Sequence, residues 1–398
     1  MTLRSHDSSQ SCWALVGLAV RIAHALGLHR DGDGRVFSAF DAEMRRRLWW
    51  QIIVLDIRAC EDRGSEPMIL DGSFNTIMPH NLNDDDFDLT SRNLPSPRTG
   101  VTEMTFSLIC MDVCHTIMKI SFIPPFKERR ILTFLQKEEL VKACTTRIDS
   151  IYLAGSSPTD PSVWVVRTIG QILILRLWLV VQYPLHCVDS TSQHFAEGQS
   201  LRSAVAYLRL CELMQESDLT TGFSWLFDTY VPWHALAVAL AELCSETKGH
   251  LVDQAWLIID RGYEKWSERM ADSEGGILWR PIRSLMRKAR AARERDQELA
   301  PPQSDFSELA LVSDNSGSSL DVQNPSIAAN DSNSLDAFLN NLGPISPDTY
   351  QYSGLDLVAS SIPVTYHLQT PAYRDHWNEF LSDVGGAAYG EEYHLGPI

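Results

Sequence analysis

Residues 11–28 read SCWALVGLAVRIAHALGL, and residues 38–63 read SAFDAEMRRRLWWQIIVLDIRACEDR. In the first stretch Leu15, Leu18, Ala19, Ile22 and Leu26 recur at helical spacing, while Trp13, Val16 and Val20 fill an adjacent stripe. Gly27 stands where a left-handed helix stop is expected, and Asp31-Gly-Asp-Gly34 then reads as a turn-rich loop. In the second stretch Ser38 and Asp41 have the spacing of a capping box, and an acidic first turn suits the positive end of the helix dipole. Met44, Leu48, Ile52, Leu55 and Ala59 form its apolar stripe. Two consecutive helices are predicted.

Working outward, residues 64–100 are rich in Gly, Pro, Asn and Asp and predict an irregular wrap-around segment. Helices are predicted over 101–120, 127–153, 161–182, 199–215, 230–247, 251–270 and 276–297, and no period-2 run breaks the pattern. In 127–153, Val141, Cys144, Ile148 and Ile151 share one side, with charges opposite. The expected fold class is all-α: a helical regulatory domain, an antiparallel helix array, followed by a largely disordered acidic C-terminal tail. The apolar run Val163–Leu185 is interrupted by Arg167, Gln171 and Arg176, which suits a core helix and not a membrane span. Residues 12–20 resemble a leader core, but Asp7 before them and Arg21 after them favour a buried helix. No membrane association is expected.

The 398 residues are 44% hydrophobic, enough for a real core, and carry a formal charge of −17. Residues 301–398 hold 13 acidic side chains and one basic one, Arg374, so most of the excess sits there. After Pro301-Pro302, residues 303–370 are too poor in apolar groups to fold alone. Two islands interrupt that composition. Leu335, Phe338, Leu339 and Leu342 follow i, i+3, i+4, i+7 beside Asp331 and Asp336; Trp377, Phe380, Leu381 and Val384 repeat the spacing among Asp375, Glu379 and Asp383. An apolar stripe in an acidic segment suits a short amphipathic helix in a partner's groove. Packing back onto the helical body is the structural alternative for both islands, the more so for 377–384, where Trp377 suits docking at home.

Chemistry-bearing motifs are sparse. His29-Arg30-Asp31 imitates a kinase catalytic triplet, but Val36 occupies the metal-binding Asn position. Asp31 and Asp33 imitate a calcium loop whose later ligand positions hold Arg35 and Ala42. Cys110 and Cys114 lie one helical turn apart with His115 beside them, yet no second pair is spaced to complete a tetrahedral zinc site, so core packing is expected for the two thiols. The eight cysteines sit mostly in apolar stretches and read as buried thiols. With neither His-Glu-x-x-His nor Gly-x-Ser-x-Gly, no enzyme, catalytic residue, metal or other cofactor is expected. The acidic balance makes direct nucleic-acid binding by this chain unexpected. The cluster Arg280, Arg283, Arg287, Lys288, Arg290, Arg293 and Arg295 reads as a solvated helix face, with an import signal or phosphate contact as the functional alternative. Arg45, Arg46 and Arg47 beside Trp49 and Trp50 suggest a structural network, and Asp56, nine residues beyond Arg47, must find its partner elsewhere.

The ordered set Trp13, Gly17, Arg21, His24, Gly27, His29, Asp31, Glu43, Arg45–Arg47, Trp49-Trp50, Asp56, Gly64, Pro67, Pro79, Asn81 and Asp84–Asp86 resembles the middle homology region of fungal zinc-cluster transcription factors. Of these, Trp13, Gly17, Arg21, Gly27, Arg46, Arg47, Trp49, Trp50, Asp56 and Pro67 are taken as the structural signature. On this resemblance the chain divides into a partial middle homology region (1–90), the rest of an all-α regulatory body (91–300) and the acidic tail (301–398). Two departures stand out. Gly64-Ser65-Glu66-Pro67 replaces the family's Gly-Arg-Pro, and the six clustered cysteines that hold two zinc ions are absent from this sequence. The match begins at residue 11, so the dimerising coiled coil and the first helices of the region are expected to lie outside this chain.

The resemblance implies a nuclear, pathway-specific transcription regulator of a biosynthetic gene cluster. Its partners would be the transcription machinery or a DNA-binding factor, and it would have a possible small-molecule effector. A second reading is an all-α small-molecule binder or enzyme with its pocket in 100–300, lined by Trp164, Trp178, Trp225 and Trp233. A third is an interaction remnant whose first helix leaves apolar surface uncovered.

Overall fold

Gly27 ends the first helix as its position predicts. Its φ is 66°, and the Leu28 N–H reaches back to Ala23 O while the Gly27 N–H reaches His24 O, a Schellman-type closure that an L side chain would strain. The computed structural model describes residues 9–32, 37–63, 65–122, 132–157, 160–184, 199–223, 227, 231–269, 279–299 and 376–383. Helix α1 spans Ser9–Ala25 and α2 spans Ala39–Arg63. The Ser38 Oγ caps α2, accepting from Asp41 N–H at 3.0 Å and donating to Asp41 Oδ2 at 2.7 Å.

The remaining elements are α3 (Thr105–Ser121), α4 (Phe134–Arg147), α5 (Pro161–Gln182), α6 (Gln199–Glu216), α7 (Trp233–Leu243), α8 (His250–Arg269), α9 (Trp279–Leu299) and a tail helix over 376–383. Among the described residues there is no strand, and the fold is all-α. Local signals place the ends: Thr133 caps α4, and Asp160 caps α5 by accepting from Ser162 N–H, with Pro161 in the first turn. Packing runs from α1 to α2, α3, α5, α6, α7 and α9 in turn, with α4 against α3 and α5 and α8 against α6. One apolar core threads this array. Helix α5 is long and apolar enough to cross a membrane, but it lies mostly buried inside the body.

The apolar stripes expected to face the core are turned outward on the first two helices. Leu15, Leu18, Ile22 and Leu26 are 46–59% exposed, as are Met44, Leu48 and Leu55 at 36–50%. The inward residues are instead Val20 and Ala23 on α1, and Trp49, Trp50, Ile52, Ile53, Ile57 and Cys60 on α2. Both helices are apolar on two faces, so periodicity alone does not choose between them. The face with small residues and tryptophans is the one that packs inward, and on α1 a Cβ at Gly17 would already sit 3.4 Å from Met68 Sδ of the segment that follows α2. A second correction falls at Ile151, which is 39% exposed. A π-helical turn, Ile148–Tyr152, adds a residue to the end of α4 and rotates Tyr152 and Leu153 inward in its place.

Gly27→Ala is expected to lower stability by about 1 kcal/mol through the left-handed backbone alone, read as a shift in denaturant midpoint with unchanged slope.

Candidate functional site

The signature residues converge on the hairpin of α1 and α2 and the segment laid over it. Glu43 is fully buried, an expensive place for a carboxylate unless every lone pair is used. Its Oε1 accepts from His80 N–H at 3.0 Å, its Oε2 lies 2.9 Å from His80 Nδ1, and Arg46 and Arg47 pair with it at 3.8 and 3.4 Å. Arg46 grips Asp31 with two 2.7 Å bonds, which hold the Asp31 carboxyl below the usual carboxylate range. Arg47 reaches Asp84 at 2.7 Å and lies over the Phe87 ring. Arg45 donates to Leu26 O and Gly27 O. The arginine run is thus a structural network, and Asp31 of the kinase-like triplet is one of its anchors.

The segment 65–102 is fastened to this hairpin by backbone groups. Trp50 Nε1 donates to Ile77 O at 2.9 Å, and the Thr76 hydroxyl donates to Leu28 O at 2.7 Å. Asp56 finds its partner at Ile69 N–H, 2.8 Å away; burial still pushes its carboxyl up. The bond ties the segment after α2 to the helix through the Ile69 main chain. Asn81 donates to Arg98 O and Gly100 O and accepts from Thr102, closing the segment. Deeper in the body, Asp112 is buried and takes a two-pronged Arg147 at 2.9 and 2.6 Å.

Metal chemistry has little to build on. Burial drives the Cys114 and Cys144 thiols up to about 12, so they are protonated near neutrality, and His115 faces Asp71 at 3.3 Å and the Trp50 ring. Among the described residues no three His, Cys, Asp or Glu side chains converge as a metal site. Of the four tryptophans expected to line a pocket, Trp178 and Trp233 are buried, Trp164 packs against the core, and Trp225 lies outside the described residues. The cavity beside Trp233, His234 and Arg176 holds only about 30 Å³. Space of ligand size lies elsewhere, in an open groove of about 780 Å³ at the joint of α1, α2 and α3. Periodicity did not find that groove, because its Leu26, Met44 and Leu48 were assigned to the core.

The second tail island sits on the body. Trp377 is 3% and Phe380 2% exposed; Trp377 Nε1 donates to Pro184 O at 3.3 Å, and its ring meets Tyr183 edge-on at 5.0 Å. Leu381 packs against the same core, and Lys288 of α9 pairs with Glu379. Val384, and the whole first island with Leu335, Phe338, Leu339 and Leu342, lie outside the described residues. Under the docked helix Tyr183 donates to Glu242 Oε1 at 2.7 Å. Along α9, Arg280, Arg283, Arg287, Arg290 and Arg295 are exposed, Arg290 lies 3.5 Å from Asp260, and Arg293 covers the Trp256 ring.

Two outcomes follow from these buried charges. Arg46→Ala strands Asp31 and Glu43 and is expected to cost about 3 kcal/mol or more by thermal or denaturant unfolding, whereas the exposed Arg30→Ala should stay within about 0.5 kcal/mol. Burial lifts Glu242 to about 7, against the Tyr183 hydrogen bond, and drives His234 down to about 3. Between the ordinary values of 4.5 and 6.5 the folded pair is neutral, while the unfolded pair carries one positive and one negative charge. Both states then hold one proton, and the pair leaves stability flat with pH. Glu242→Gln removes the component lost as pH rises, so the variant should gain on the parent by about 1.4 kcal/mol per pH unit from 4.5 towards 7. A difference that stays constant with pH would contradict the buried, protonated carboxyl.

Residues 2–148 match the fungal specific transcription factor domain. Over 334 residues the chain is 29% identical to the C6 finger domain transcription factor adaR of Aspergillus niger, covering 75% of this chain and 40% of that protein. It is 26% identical over 285 residues to the aurofusarin cluster transcription factor aurR2 of Gibberella zeae, covering 70% and 42%. It is 27% identical over 311 residues to the transcription factor vrtR2 of Penicillium aethiopicum, covering 75% and 36%. The chain therefore spans about two-fifths of the length of the curated relatives it matches. No solved structure matches. The hairpin, its arginine–carboxylate network and the strap fastened across it all fall within residues 2–148, the stretch that is similar to the fungal specific transcription factor domain.

Proposed function

We propose that the protein is a transcription regulator of a fungal biosynthetic gene cluster, working in the nucleus through its helical body and acidic tail. The observation that carries this reading is the match of residues 2–148, supported by relatives named as a C6 finger domain transcription factor and an aurofusarin cluster transcription factor. DNA contact is assigned to residues other than these 398, which hold no six-cysteine zinc module, or to a DNA-binding partner factor. No zinc or other cofactor is assigned to the chain.

In the tail, Leu335, Phe338, Leu339 and Leu342 are the residues proposed to enter a groove on the transcription machinery. Trp377, Phe380, Leu381 and Val384 are assigned the same kind of contact, available to a partner only once the 376–383 helix leaves Tyr183 and Pro184. An effector is a further proposal, with the 780 Å³ groove as the space of suitable size.

The test is to fuse the whole chain to an unrelated DNA-binding module and measure a reporter. Activation is expected from the full chain, with loss on deleting 301–398 and a several-fold fall for Phe338→Ala with Leu339→Ala. A silent full-length fusion, or activation indifferent to both changes, would refute the assignment of the tail.

A further inference from the structure

The tail helix lies in a groove whose walls come from three separate parts of the body. Tyr183 and Pro184 follow the end of α5, His234 stands in the first turn of α7, and Lys288 belongs to the arginine-rich α9. Trp377 meets the Tyr183 ring edge-on at 5.0 Å and the His234 ring at 5.7 Å, while its Nε1 donates to Pro184 O. Phe380, one turn on, stacks against Trp377 at 5.0 Å, and Leu381 packs on the core beside them. The outer side of the helix carries Asn378, Glu379, Ser382 and Asp383 into solvent, where Glu379 pairs with Lys288. The groove thus reads a pattern: Trp at the first position, an acid at the third, Phe at the fourth and Leu at the fifth.

Two features mark this segment as a ligand of the body. The first is that the polar floor beneath it is satisfied from within. The Tyr183 hydroxyl donates to Glu242 Oε1 at 2.7 Å, and His234 Nε2 lies 3.2 Å from Tyr183 O. Departure of the helix breaks neither bond, and Pro184 O can turn to water. Glu43 is the opposite case, since losing a partner there strands a buried charge. The second feature is length. Eight residues are too few to hold a helix in water, so the segment takes its shape from the groove, as peptides that fold on binding do. Trp377 and Pro184 stand 193 positions apart, and the shared chain presents the helix at the high effective concentration of a linked ligand.

We propose that the body carries a docking groove for an acidic aromatic helix, and that residues 376–383 fill it in cis, in exchange with a helix of the same pattern on a partner protein. Pro184 O and the Tyr183 ring select the Trp, and Lys288 selects the acid. The inference goes beyond the activating role given to the tail, because here the body is the receptor. Peptide binding and reporter activity can therefore fail independently.

The probe is a fluorescent peptide of residues 372–386, titrated by anisotropy into the full chain and into full-chain Trp377→Ala/Phe380→Ala, whose own helix no longer holds the groove. The variant should bind the peptide at least tenfold more tightly than the unaltered chain. A peptide carrying the same two alanines should bind the variant at least tenfold more weakly. Adding Lys288→Glu should lower the affinity several-fold, and Glu379→Lys in the peptide should restore it. Because the floor keeps its own bonds, the variant should retain its helical content and a cooperative melt. Hydrogen exchange of the unaltered chain gives a reading without mutation. Amides of 378–383 should exchange at least tenfold faster than those of α5 and α7, marking local opening while the body stays folded. A variant that unfolds, binds no peptide or binds both peptides equally would overturn the proposal. So would an affinity blind to Lys288→Glu, or tail amides that exchange only as slowly as the body.

Discussion

A carboxylate with no exposed surface, Glu43, sets the terms for the first third of this chain. Leaving such a charge uncompensated would cost several kcal/mol, so its environment must supply donors from more than its own helix. Arg46 and Arg47 come from neighbouring turns, but the backbone N–H and ring of His80 come from the segment beyond α2. Satisfying one buried charge therefore draws residues 65–102 across the hairpin. Trp50, Asp56 and Thr76 then pin the same segment by its main chain. Irregular backbone is tolerated against the core because side chains of the helices take over its hydrogen bonds.

That arrangement divides the surface by function. On its inner side the hairpin is committed to the tryptophans, the strap and α3. Its outer side keeps two apolar rows that nothing in the described body covers. Farther along, the body accepts the 376–383 helix through an indole–carbonyl bond and a cluster of aromatic rings, over a His234 that burial keeps neutral and a Glu242 whose carboxyl burial lifts to about 7. The tail is thus both the most acidic part of the chain and, at one point, part of its core.

Much of the helical layout was legible in residues 1–300. Asp160 and Pro161 announce the start of α5, Gly27 announces the end of α1, and the Gly-, Pro- and Asp-rich stretch after α2 announces the loss of regular structure. These signals act within one turn of the residues that carry them, which is why they survive without tertiary knowledge. The signature Arg46, Trp49 and Asp56 were legible as a network, but their partners were not. Asp31, Phe74 and Ile69 are brought to them by the strap and the loop, and no local rule connects those positions. Ile151 was misplaced for a different reason: one extra residue in a π turn shifts every later side chain around the helix axis.

By itself, then, the sequence determined an all-α body, the ends of its helices, the segregation of acid into the last hundred residues and the absence of a recognisable catalytic constellation. Capping, periodicity and composition are local properties, and each was sufficient for its task. Only the tertiary structure decided which apolar face of α1 and α2 turns inward, that Glu43 and Asp112 belong to the core, and that Trp377 docks beside Tyr183. Burial is a property of what arrives on the other side. A face rich in leucine stays outside when a neighbouring face offers closer packing, and a charge goes inside when distant residues bring it enough hydrogen bonds.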